Sequence, residues 1–183
     1  MGVSQQGPTS ASEEHQRVAP REPHRADLVY VRRDPDAFVL VQYKMLQQLN
    51  DGRLIFRPDG RLDGQVARML SLENMPRGNG ATDDISTYRL GQGFSFLKFV
   101  LPAAARPERP GELMPGFYSP SEYARRVLIR PDTGPQRGNV YFVSDHRNLM
   151  PETFGRLVRD SWVGSTGDAT ALLQRCSTCG TRM

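Results

Sequence analysis

Asp27-Leu-Val-Tyr-Val-Arg-Arg-Asp-Pro-Asp-Ala-Phe-Val-Leu-Val-Gln42-Tyr43-Lys44 is the stretch from which the rest of the chain is read. Two runs rich in β-branched and aromatic residues, 27–31 and 37–44, flank an Arg-Asp-Pro-Asp segment of turn formers. That layout predicts a β-hairpin. With the turn centred between Pro35 and Asp36, Asp27 lies opposite Lys44, Val29 opposite Gln42 and Val31 opposite Leu40. Alternate residues of a strand share a face, so Asp27, Gln42 and Lys44 project together from one end of the hairpin. A register slip of one residue would change which faces coincide.

An acid, a second oxygen donor and a lysine at one sheet end suit metal-assisted attack on a phosphodiester. The acid and the amide oxygen hold a hard cation such as Mg²⁺, with Mn²⁺ as a substitute. The cation polarises the phosphate and acidifies a bound water, and the lysine steadies the developing charge. The plain alternative is an amphipathic hairpin closed by a salt bridge. Of the 24 Lys and Arg residues only Lys44 and Lys98 are lysines. A chain that otherwise uses arginine thus has a lysine where a compact, tunable ammonium is wanted.

These residues resemble the PD-(D/E)XK nuclease superfamily, in the QxK variant of the Mrr-type restriction endonucleases. The resemblance covers residues 27–75. It implies a restriction-endonuclease-like core in which Asp27 is the strand-borne acid and Gln42-Tyr43-Lys44 is the QxK. Asp27, Gln42 and the Tyr43 backbone carbonyl would then be metal ligands. Gln65, in Asp-Gly-Gln-Val-Ala-Arg-Met, would be the glutamine on the following helix. The implied activity is metal-dependent hydrolysis of DNA, as in a restriction or anti-phage defence system. Two departures stand out. Only 26 residues precede Asp27, where the family places a helix and a strand, so a homodimer or partner subunit would complete the core. Gln42 is also a neutral ligand, which leaves a non-catalytic nuclease-fold subunit binding DNA or a partner protein as the alternative.

The chain of 183 residues is long enough for one domain with a sizeable core. Its net charge of +4 mildly favours an anionic partner such as nucleic acid, probed by Arg53, Arg57, Arg61 and Arg68 around the hairpin mouth. No apolar run spans a membrane, and no secretion signal is visible at the N-terminus. Two cysteines make no disulfide framework, so a cytoplasmic location is the default expectation.

Taken in order, residues 1–25 are polar and are expected to form a disordered or loosely attached arm. An α/β domain is expected over 26–165, a mixed β-sheet flanked by helices. Strands are predicted near 27–31, 37–44, 53–57, 87–89, 94–101 and 139–144. Helices are predicted at 62–73, where Leu62, Val66, Met69 and Leu70 share a face, and at 119–128 and 150–161. Ser119-Pro-Ser-Glu122 is a capping box, and the four prolines between 102 and 118 predict a loop. His146 follows the last strand as a possible proton shuttle. Tyr88-Arg89 and Ser119-x-Ser121 are faintly similar to ADP-ribosyltransferases, but no Glu-x-Glu follows them. Residues 166–183 are expected to be a flexible tail whose Cys176-Ser-Thr-Cys179 is half of a zinc knuckle.

Overall fold

The computed structural model describes residues 26–33, 36–76, 85–102, 115–129 and 141–179. The expected arm at 1–25 lies outside them. The hairpin forms from β1 (Leu28–Arg33) and β2 (Asp36–Met45). Its register corrects the sequence reading: Leu28 pairs with Val41, Val29 with Leu40, and Arg33 with Asp36. Asp27, one step beyond the ladder, therefore lies across from Gln42 rather than Lys44. Turn-forming residues mark a reversal without saying between which two of them it is centred. The displacement along β2 is two residues, and because the side-chain period is also two, every residue keeps its predicted face.

The main sheet is mixed, in the order β1-β2-β5-β6. β5 (Ser95–Val100) runs parallel to β2, and β6 (Gly116–Pro120) runs antiparallel to β5. All six β5 residues are buried, as expected of a strand covered on both faces. The connection from β2 to β5 carries helix α1, Leu62–Glu73, with the predicted bounds. Glu73 at its end accepts bonds from the Phe94 and Ser95 N–H groups and the Ser95 hydroxyl, fixing the start of β5. Burial nevertheless pushes this carboxyl up from the ordinary range.

Four expectations need correction. The predicted strand near 53–57 shrinks to β4 (Leu54–Phe56), and the described part of the one near 139–144 is β7 (Tyr141–Phe142) followed by a 3₁₀ turn at Val143–Asp145. With β3 (Gln47–Gln48), these two strands form a separate small sheet rather than joining the main one. Thr87–Arg89 is not a strand: a 3₁₀ turn covers Ile85–Thr87. β6 takes the end of the stretch read as loop and the first two residues of the helix predicted at 119–128, which starts instead at Ser121, and its Pro120 is on an edge strand where the missing N–H costs no ladder bond. Residues Gly167–Cys179 form helix α4 where a flexible tail was expected; Ala169 and Leu173 are its buried anchors. The Phe38 N–H and C=O bond the Ser165 hydroxyl and N–H just ahead of it.

Side-chain alternation along β2 sorts the core into two layers. Phe38 and Leu40 face α1, α2 (Ser121–Ile129) and α4, through Leu62, Val66, Leu128 and Leu173. Val39 and Val41 face α3 (Pro151–Arg159), where Phe154 stacks on Tyr118 with ring centroids 3.8 Å apart. No helix among the described residues is long and apolar enough to cross a membrane.

Gly116 of β6 has φ 157°, and a Cβ there would stand 2.2 Å from the Phe99 carbonyl oxygen of β5. Gly116→Ala must therefore push the two strands apart, with a loss of about 1–3 kcal/mol. Leu97→Ala removes a fully buried side chain from the layer that faces α1 and should cost about 2–5 kcal/mol. Urea unfolding measures both losses, and an unchanged midpoint in either variant would contradict this packing.

Candidate functional site

Four side chains meet at the mouth of the hairpin. β2 places Gln42 and Lys44 on the face covered by α1, and the segment entering β1 places Asp27 beside them. The Gln42 amide N–H₂ donates to Asp27 Oδ2, and the Tyr43 backbone N–H donates to the same oxygen at 2.8 Å. Beyond the last ladder pair, the carboxylate thus takes an N–H that has no strand left to meet. Lys44 Nζ donates to Gln65 Oε1 at 2.6 Å, which ties β2 to the second turn of α1. The four side chains therefore form two hydrogen-bonded pairs, Asp27 with Gln42 and Lys44 with Gln65, linked by the charge of Asp27 acting on Lys44.

Burial makes the cluster chemically uneven. Gln42 is 4% exposed and Lys44 8%. Gln42 Oε1 is buried with no hydrogen-bond donor. Such an acceptor costs about 1–3 kcal/mol while unmet. A half-turn of the amide would bring Oε1 against the Asp27 carboxylate. Two oxygens repel there unless a cation stands between them.

Lys44 is held below the ordinary lysine pKa of 10.5, because burial strips water from the ammonium. The Asp59 and Asp27 carboxylates oppose that shift, Asp59 the more strongly. Asp59 is the member that sequence reading missed. In sequence Pro58-Asp-Gly60 has only the composition of a turn, and the Asp59 carboxylate does accept the Arg61 N–H at 3.1 Å. The available signal was its position just ahead of α1, six residues before Gln65 on the helix that covers the hairpin.

The other sequence candidates lie outside this cluster. Arg57, Arg61 and Arg68 are exposed, and Arg53 is paired with Asp51 at 2.7 Å. Arg125 and Arg126 both pair with Glu122, the acid expected to close the capping box. His146 stands edge-on to Tyr123 of α2, and burial lowers its pKa against the opposing charge of Asp145. Cys176 is half-buried on α4, and the Cys179 side chain lies outside the description, so the half zinc knuckle has no geometry to report. Among the described residues no three His, Cys, Asp or Glu side chains are grouped to hold a metal.

Comparison of the chain with protein-family models, with curated proteins and with solved structures finds no match.

Because the chain has only two lysines, protein labelled with carbon-13 at lysine Cε shows two resonances. The Lys44 resonance should titrate below 10.5. Asp59→Asn removes a charge that favours the ammonium, so it should move that midpoint lower still. A midpoint at or above the ordinary value, or one raised by Asp59→Asn, would contradict the electrostatics described.

Proposed function

We propose that the chain is a Mg²⁺-dependent nuclease that hydrolyses DNA phosphodiester bonds at the hairpin mouth. The observation that carries this reading is the buried, donorless oxygen of the Gln42 amide, whose N–H₂ bonds the Asp27 carboxylate, with the Lys44 ammonium two residues on. An oxygen pair that repels when brought together is a ready cation site, and its carboxylate and amide oxygens are the hard donors that Mg²⁺ prefers. Asp27, Gln42 Oε1 and the Tyr43 carbonyl would hold the ion, and Mn²⁺ would substitute. Bound there, it would polarise the scissile phosphate and lower the pKa of a coordinated water.

The chain's own groups do the rest. Lys44, an ammonium kept charged by Asp59 and Asp27 against its burial, supplies positive charge where the pentavalent phosphate becomes more negative. Gln65 Oε1 holds Nζ in place, so this charge needs little reorganisation as reaction proceeds. The same arrangement of acid, QxK and helix glutamine supports the PD-(D/E)XK reading, and through it a role in restriction or anti-phage defence.

A second reading is favoured by a specific observation. Asp27 Oδ2 already accepts two protein donors, so the cluster is self-sufficient as a polar closure of the sheet. β1 is also at the sheet edge, where no further strand pairs with it among the described residues. A nuclease-fold subunit that binds DNA or a partner along that edge, without cutting, would have both features.

Plasmid nicking separates the two. The native protein should nick in Mg²⁺, and Asp27→Ala and Lys44→Ala should each lose about 10²-fold or more. Lys44→Ala should still bind DNA, since one charge of many is removed. Gln42→Glu sets two carboxylates together, so its metal-free melting temperature should fall and Mg²⁺ should raise it more than in the native protein. Full activity in purified Asp27→Ala and Lys44→Ala would sink the hydrolytic reading. DNA binding without any nicking would establish the subunit reading.

A further inference from the structure

At the opposite end of the hairpin lies a cleft that phosphodiester hydrolysis does not use. Arg32 is five residues along β1 from Asp27, roughly 17 Å at the rise of an extended strand. Its side chain is on the α3 face rather than the α1 face. The cleft encloses about 490 Å³, a volume typical of small-ligand sites, and its walls include Arg32, Ser86, Tyr88, Asp160 and Trp162.

Two properties of this cleft are hard to account for as packing. The first is aromatic exposure. Tyr88 is 61% exposed and Trp162 43%, and their rings stand edge to face with centroids 6.3 Å apart. Ile85 and Leu90 beside them are exposed as well. The Trp162 backbone is held on both sides: the Leu90 N–H donates to its carbonyl at 2.9 Å, and its own N–H donates to the Leu157 carbonyl at 2.9 Å. Ser161, next to Trp162, has φ 58°, the only positive value at a non-glycine among the described residues. Its hydroxyl accepts the Arg32 guanidinium, which also donates to the Arg159 carbonyl at 2.6 Å.

The second property is charge. Arg159, Arg32 and Arg156 all act on Asp160 and hold its carboxyl below the ordinary range. Arg89, buried behind the cleft, bonds the Ser86 and Tyr88 carbonyls, while its Nε has no hydrogen-bond partner. Arg32 also lies within electrostatic reach of it. Among the described residues, three guanidinium groups thus act on the Asp160 carboxylate, and Arg89 lies behind them within reach of Arg32. An apolar partner surface alone would gain nothing from that excess. A ligand that is flat, aromatic and anionic meets both properties at once.

We propose that this cleft binds single-stranded nucleic acid, one base stacking on the Tyr88 face with its edge toward the perpendicular Trp162 ring while the arginines meet the flanking phosphates. Every base has a π-face, so such a platform accepts a strand without reading its sequence. Binding there needs no metal and no cleavage, so it stands apart from the hydrolytic reading.

Trp162 is the only tryptophan in the chain, so its intrinsic fluorescence reports on the cleft directly. The titration uses oligothymidylate and the full chain in EDTA, where metal-dependent hydrolysis cannot occur. The expected result is saturable quenching that weakens steeply as salt is raised. Tyr88→Ala should weaken binding about tenfold, the loss of one stacked base, and Tyr88→Phe should restore it. Trp162→Ala, followed by the anisotropy of a labelled oligonucleotide, should weaken it similarly. The inference is overturned if no quenching occurs, or if Tyr88→Ala binds as tightly as the native chain. It is also overturned if polyphosphate, which has no bases, quenches and binds equally well. Self-association abolished by Tyr88→Ala, with no oligonucleotide binding, would make the patch a contact between two copies and would equally overturn it.

Discussion

The hydrogen bond from Lys44 to Gln65 joins the two halves of the βαβ unit on which the main sheet is built. β2 is covered on both faces, and an ammonium on such a strand loses water worth several kcal/mol if nothing replaces it. Three groups replace that water here. Gln65 accepts the hydrogen bond, and Asp59 and Asp27 supply negative charge. Each comes from a different segment: the body of α1, the turn before it, and the entry to β1. Satisfying one cation therefore constrains the angle of α1 on the sheet and the end of the hairpin together.

Gln42 is the counterpart that is not fully satisfied. Its N–H₂ is used and its oxygen is not. Folding alone would be served as well by a valine at this position, since the neighbours Leu40 and Val41 are fully buried and apolar. A buried amide half-used, beside a carboxylate, is the kind of local cost that persists where a site has work to do.

The two ends of the hairpin carry different chemistry on different faces. The Asp27 end is a compact polar cluster under α1, suited to a hard cation and a phosphate. The Arg32 end is open, aromatic and cationic, and lies toward α3. Both depend on β1 being an edge strand: a further strand beyond it would cover the flank of each end.

The β-branched and aromatic runs at 27–31 and 37–44, the 3.6 spacing in 62–73 and the segment 94–101, apolar on both faces, determined β1, β2, α1 and β5 from the sequence alone. They also determined that Asp27, Gln42 and Lys44 share a face, because that conclusion survives a two-residue displacement of register. These are local properties, written in the order of neighbouring side chains. Which strands share a sheet was decided only by the tertiary structure. β4 and β7 have ordinary strand composition, yet they pair with each other rather than with β5. β6 forms in a proline-rich stretch because the β5 edge offers it a ladder. Asp59 and Trp162 likewise gain their meaning from what folds next to them. A carboxylate in a turn and an aromatic after a helix are unremarkable in sequence, since burial and charge at a point in space depend on segments far apart in the chain.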